Sequence, residues 1–148
     1  MDVQTLSVER RSDVSVHLSI PNHKDSIEPA RLAVLDFLSG HELNSESTFK
    51  IELILEETLM NALLHGFRDR APHRVELTVQ VCSTEVVLHF EDDGVSFDPL
   101  QLGDPLPPTS IDTAEPGGLG LVLVRKFARS IAYRRADGQN LLCISIAR

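Results

Sequence analysis

The sequence predicts an α+β domain, a two-layer α/β sandwich in which a mixed, mostly antiparallel sheet carries three helices on one face. Three observations predict it. Runs with strand character lie at 14–20, 75–90 and 131–146, the first of them strictly alternating between apolar and polar residues. Helical stripes lie between them, the strongest over 45–64 and 118–131. The 148 residues are enough for one core, and no linker or internal repeat divides them, so a single domain over 1–148 is expected.

The elements follow in order. Val14, Val16, Leu18 and Ile20 alternate with Ser15, His17 and Ser19, and Pro21-Asn22 closes the strand. Asp25 or Ser26 can cap a helix that tolerates Pro29 in its first turn and stops at Gly40. Its expected apolar stripe is Leu32, Leu35 and Leu38, widened by Val34 and Phe37. The next helix begins at Ser45 or Ser47 and runs to about Leu64, with His65-Gly66 ending it. Ile51, Leu55, Leu59, Ala62 and Leu63 form one apolar face, and Leu53, Ile54, Met60 and Leu64 spread apolar character round the rest, so this helix reads as largely buried. Residues 75–81 and 86–90 form a hairpin across Ser83-Thr84-Glu85. After a proline-rich stretch, Leu119, Leu123, Phe127 and Ile131 mark a third helix. Strands from Ile131 and from Leu141 turn at Asp137-Gly138.

Composition excludes several classes. The formal charge is −8, which argues against binding a phosphate backbone, so no nucleic-acid partner is expected. No apolar run approaches the roughly 20 residues of a membrane span, and residues 1–13 are polar with mixed charge, unlike a signal peptide. A cytoplasmic protein with no membrane partner is expected. Cys82 and Cys143 lack metal-ligand spacing and read as reduced thiols. His41-Glu42 could open a phosphoacceptor box, but it falls in a polar turn without the helix such a box needs.

Three constellations carry possible chemistry. Glu57 and Asn61 stand one turn apart on one face of the buried helix. An amide oxygen suits Mg²⁺, and a carboxylate beside it can take a proton from an attacking hydroxyl. An exposed polar stripe is the other reading, and spacing does not choose between them. Asp92-Asp93-Gly94 ends a strand. A carboxylate there can accept from an exocyclic amine, and Gly94 admits close backbone approach. Alone it reads more readily as an acidic turn. Gly118-Leu119-Gly120 opens the third helix, where amides and dipole favour an anion. It is no P-loop, because no Lys-Ser/Thr follows.

In this order and spacing, Glu57-Thr58-Leu59-Met60-Asn61-Ala62 with His65-Gly66, then Asp92-Asp93-Gly94-Val95-Ser96-Phe97-Asp98-Pro99, then Gly117-Gly118-Leu119-Gly120-Leu121 resemble the ATP-binding boxes of the GHKL superfamily. Within it they are most similar to the small bacterial anti-sigma-factor serine/threonine kinases. The resemblance covers residues 14–146 and implies the Bergerat-type ATP-binding fold. It implies ATP with Mg²⁺, Glu57 as general base, Asn61 as Mg²⁺ ligand and Asp92 as acceptor from the adenine amine. Gly94 would lie beneath the base, and Gly118, Leu119, Gly120 and Leu121 would hold phosphates under a lid of about 98–117. His65 would line the phosphate end unless it packs locally, and Ser145 would stand near adenine.

The activity so implied is phosphorylation of a STAS-domain anti-anti-sigma partner, alternating with sequestration of a sigma factor or similar client. Arg31 would contact that partner, and a homodimer would form through the outer face of the first helix and strand. Two departures stand out. Ser96 replaces the second glycine of the turn, and the stretch 98–116 holds Asp98, Asp104, Asp112 and Glu115 but no Lys or Arg. The terminal phosphate must then meet another cation, with Arg68, Arg70 and Arg125 as candidates. The alternative is a nucleotide-dependent binding module whose kinase activity is vestigial. A histidine kinase stripped of its other domains is a third reading.

Overall fold

The computed structural model describes residues 5–96 and 118–148. Six strands form one sheet: β1 (Ser7–Ser12), β2 (Ser15–Pro21), β3 (Arg74–Val81), β4 (Glu85–Asp92), β5 (Ser130–Ala136) and β6 (Gln139–Ala147). Their order is β1-β2-β3-β4-β6-β5. Every neighbouring pair is antiparallel, so the sheet is not mixed as the sequence led us to expect. The chain passes from β2 to β3 through the first two helices, and from β4 through the third helix to the edge strand β5 before β6 returns between them; no two parallel strands lie side by side among the described residues.

Alternation decides which side chains meet the helices. Val16, Leu18, Ile20, Val75, Leu77, Val79, Val86, Leu88, Phe90, Ile144 and Ile146 are buried and face the helical layer. Ser15, His17, Ser19, Glu76, Thr78 and Gln80 point to the other side, where His17 and Ser19 both bond the Glu76 carboxylate.

The helical layer is α1 (Ile27–Leu38), α2 (Ser45–His65) and α3 (Gly118–Phe127). A short 3-10 turn, Lys24–Ser26, precedes α1, and there the His23 ring, rather than Asp25 or Ser26, accepts the first amide. In α1 the buried stripe is Ala30, Val34, Phe37 and Leu38. Leu32 is 53% exposed, so the buried stripe is rotated from the expected 32-35-38 line onto the face of Ala30, Val34, Phe37 and Leu38. Asn44 caps α2 through Ser47 N at 2.7 Å, and seven residues from Ser47 to Leu63 are buried along it. The α2 axis runs along β4 and β6. Its start meets the end of β6, where Ser47 Oγ donates to the Ala147 carbonyl, and its end meets the turn after β4.

Two elements differ from the sequence reading. β1 carries no apolar period, and all six of its residues are exposed. It exists through its backbone pairing with β2. Ile131 is a strand residue opposite Ile144 rather than the last rung of α3, which ends at Phe127. The β5–β6 hairpin turns at Asp137 (φ 54°) and Gly138 (φ 76°), the double positive φ of a two-residue I′ loop.

Candidate nucleotide site

The α2 stripe comes first. Lys50, Glu57 and Asn61 lie within about 40° of one another round a helix of 3.6 residues per turn. Lys50 Nζ sits 5.8 Å from the centre of the Phe127 ring, so this stripe faces α3. With Phe127 beside Lys50, the nine residues back to Gly118 span about 14 Å. That carries the N-terminus of α3 to the level of Asn61. Glu57 and Asn61 are half-buried, and neither makes a hydrogen bond or ion pair among the described residues. Burial against the neighbouring helix raises the Glu57 carboxyl above its ordinary value, and the adjacent Glu56 charge adds to the shift.

The second part is the turn leaving β4. Asp92 continues the alternation of Leu88 and Phe90, so it points to the helical side at the mouth of the layer. Its Oδ1 accepts from Gly94 N at 2.9 Å and from Asn140 Nδ2 at 2.9 Å. Its Oδ2 makes no hydrogen bond among the described residues. Val95 N donates to the Gly66 carbonyl at 2.7 Å, and Gly66 N donates to Ala62 O at 3.1 Å. The turn is therefore fastened to the end of the same helix that carries Asn61. Gly94 is needed for this contact: a Cβ there would stand 2.4 Å from the Gly66 carbonyl oxygen. The close approach foreseen at Gly94 is made by the chain's own α2 terminus.

Asn140 had no part in the sequence reading. It lies opposite Asp92 in the β4–β6 register and is 7% exposed. Its Nδ2 also donates to the Val95 carbonyl at 2.8 Å and, more distantly, to the Gly94 carbonyl. Its Oδ1 accepts from Tyr133 and Arg135, and Arg135 reaches the Gly94 carbonyl at 3.0 Å. Only strand pairing reveals this residue, since an Asn beside a hairpin turn carries no other signal in sequence.

A cleft of about 390 Å³ opens beside this turn, lined by Gly66, Phe67, Arg68, Asp69, His73, Asp93, Gly94, Val95 and Arg135. Asp92 instead lines a neighbouring groove of about 280 Å³, and Glu57 and Asn61 line neither. The structure thus brings Asp92, Gly94 and the end of α2 together, while the Glu57–Asn61 stripe faces the start of α3. His73 clasps the cleft's wall. Its ring stacks on Phe67 at 4.5 Å and bonds Asp69 at 2.6 Å and Asp93 at 2.9 Å. The Asp69 hydrogen bond raises the His73 pKa most; desolvation opposes it, and the hydrogen bond and charge of Asp93 add to the rise.

The remaining sequence candidates are placed as follows. His65 is the last residue of α2 and is exposed. Gly118, Leu119 and Gly120 form the first turn of α3, and Leu121 follows half-buried. The proposed lid over 98–117 lies outside the described residues. Ser145 is a correction: it has the opposite parity to Ile144 and Ile146, faces the far side of the sheet, and pairs its hydroxyl with Ser130 at 2.6 Å. It does not stand beside Asp92. Arg31 bonds Glu28 on its own helix and Glu52 of α2 at 2.9 Å, so a partner would have to compete for it. Arg68 is exposed on the cleft rim, while Arg70 does not line the cleft. Among the described residues no cluster of His, Cys, Asp and Glu could hold a metal ion, and no helix is long and apolar enough to cross a membrane.

The chain is similar to several known proteins. Residues 20–146 match the histidine kinase-like ATPase domain. The serine/threonine-protein kinase BtrW of Bordetella bronchiseptica is 38% identical over 97 residues, 66% of this chain and 68% of that one. An anti-sigma F factor of Oceanobacillus iheyensis is 24% identical over 103 residues, covering 69% and 70%. Two solved structures share the fold. The SiaB–SiaC complex of Pseudomonas aeruginosa aligns at TM-score 0.56 and 16% identity over 89% of each chain. A blue-light activated histidine kinase of Erythrobacter litoralis aligns at TM-score 0.53 and 22% identity, covering 80% of this chain and 40% of that one. The match runs through every element from the end of β2 to the end of β6, and the chain belongs to the histidine kinase-like ATPase domain family.

Proposed function

We propose that the chain is a protein serine/threonine kinase that binds Mg-ATP and phosphorylates a STAS-domain anti-anti-sigma partner, sequestering a sigma factor or similar client in its other state. The observation that carries the proposal is the fastening of the 92–95 turn to the end of α2. It sets the Asp92 carboxylate beside the helix that bears Glu57 and Asn61, whose side chains make no hydrogen bond among the described residues. Glu57 and Asn61, half-buried and without hydrogen-bond partners among the described residues, fit a proton acceptor and a ligand for a hard cation. The names of the BtrW kinase and anti-sigma F relatives support the same reading.

In this mechanism Asp92 Oδ2 accepts from the adenine amine and fixes the base at the mouth of the layer. The amides at the start of α3, around Gly118, Leu119, Gly120 and Leu121, bind the phosphates, where a helix N-terminus favours an anion. Asn61 holds Mg²⁺, which supplies charge neutralisation on the phosphates. Glu57 accepts the proton of the attacking serine or threonine hydroxyl, and its raised pKa suits a base. His65 stands one turn beyond Asn61 at the phosphate end. Arg68, on the cleft rim, supplies the cation that the 98–116 stretch lacks. Phosphorylation adds about −1.5 to −2 charge to the partner, and an acidic chain of net charge −8 then repels it.

Incubating the chain with Mg-ATP and a STAS-domain protein tests this. Transfer to serine or threonine is expected, with Glu57→Ala abolishing transfer and leaving ATP binding largely intact. Tight ATP binding with no transfer by the wild type would instead leave a nucleotide-dependent binding module, the reading favoured by the cation-poor 98–116 stretch.

A further inference from the structure

We propose that Asn140 is the positioning residue that makes this site selective for a 6-aminopurine, acting through Asp92; this rests on the reading of Asp92 as the acceptor of the base amine. A carboxylate at the end of a strand can rotate and offer either oxygen. That freedom is not left to Asp92. Asn140 Nδ2 and Gly94 N, both at 2.9 Å, occupy Oδ1. With both N–H donors on that one oxygen, the carboxylate is held in one orientation and the remaining oxygen, Oδ2, is left as an acceptor of fixed direction. An acceptor there matches an exocyclic amine and opposes a carbonyl at the same position of the base.

Asn140 is itself held. Its Oδ1 takes hydrogen bonds from Tyr133 and from Arg135 Nη1. This also fixes which end of the amide is the oxygen, since both partners are donors and the other end faces three oxygens. Nδ2 is thereby aimed at Asp92 Oδ1 and at the carbonyls of Val95 and Gly94. Because Asn140 is 7% exposed and sits opposite Asp92 in the strand register, water does not easily replace it. The chain thus reads the base with one residue and aims that residue with another.

The test compares ATP with purine riboside triphosphate, which differs only in lacking the 6-amino group, on the full chain with Mg²⁺ by equilibrium binding. The wild type should prefer ATP by about tenfold to a hundredfold, the range of a hydrogen bond to a charged acceptor. Asn140→Asp has nearly the same shape and keeps an acceptor for Tyr133 and Arg135, but it loses the donor to Asp92. Its preference should collapse to within about threefold, chiefly through weaker ATP binding. A role confined to holding the fold would weaken both nucleotides equally and leave the ratio unchanged, and that result overturns the proposal. Asn140→Ser, read below its own melting temperature, repeats the test should Asn140→Asp not fold. If neither folds, Asn140 belongs to the framework and the selectivity role is lost. A wild type that binds neither nucleotide refutes the function proposed above. A wild type that binds both with full discrimination, retained by Asn140→Asp, refutes only the role of Asn140.

Discussion

Replacing Gly94 by alanine should undo the junction on which the candidate site rests. The added Cβ would stand 2.4 Å from the Gly66 carbonyl oxygen and 2.9 Å from Asp92 Oδ1. A carbon and an oxygen rest at about 3.3–3.6 Å, so the turn must move off the end of α2 by roughly 1 Å. Overpacking of this kind costs about 1–3 kcal/mol. The shift also strains the Val95 N to Gly66 O bond, 2.7 Å long, for about 1 kcal/mol more. The melting temperature of a domain of this size should fall by roughly 5–15 °C, and ATP affinity should fall with it because Asp92 Oδ1 is displaced. Gly138→Ala is the control. It has nothing within 4 Å and a φ of +76°, so it carries only the left-handed backbone penalty of about 1 kcal/mol. Thermal unfolding followed by circular dichroism reads both. A Gly94→Ala protein that melts with the wild type, or less affected than Gly138→Ala, would refute the reasoning.

Other expectations follow from the same geometry. Glu56→Gln should move the acidic limb of the transfer rate to lower pH, because Glu56 helps raise the Glu57 pKa; an unmoved or raised limb would remove Glu57 from the base role. Arg68→Ala should slow transfer more than it weakens ATP binding, and a loss of binding alone would reassign Arg68 to the ground state. The raised His73 pKa implies stability present below its ordinary value of 6.5 and lost as pH rises through the higher folded value. The melting-temperature gap between wild type and His73→Ala should therefore be wide near pH 6 and narrow near pH 9, and a gap that widens with pH would contradict the clasp.

How much of this was legible in sequence depends on how each residue is placed. β2, β3 and β4 are legible because one face of each is buried and the other is not, and the two-residue period records that difference. β1 was invisible: Ser7-Val8-Glu9-Arg10-Arg11-Ser12 is exposed throughout, and backbone pairing leaves no side-chain pattern. β6 reads Leu141-Leu142-Cys143-Ile144-Ser145-Ile146, too uniformly apolar to show which side chains face the helices, so nothing in it checks the place beside adenine that the resemblance implies for Ser145. In α1 five large apolar residues fill more than one stripe, and the sheet, not the sequence, selected Val34 and Phe37 over Leu32. Glu57, Asn61 and Asp92 could be picked out as polar residues at apolar or strand-end positions. Asn140 could not, because its importance comes from lying opposite Asp92 across a pair of strands 48 residues apart in the chain.

A structure of the full chain bound to Mg²⁺ and a non-hydrolysable ATP analogue would test the account most directly. It should place the base amine on Asp92 Oδ2, with Asn140 still on Oδ1, the metal on Asn61 and the phosphates against the first turn of α3 with Glu57 facing the terminal one. A nucleotide seated away from Asp92, or phosphates and metal that make no contact with Asn61 and Glu57, would contradict it.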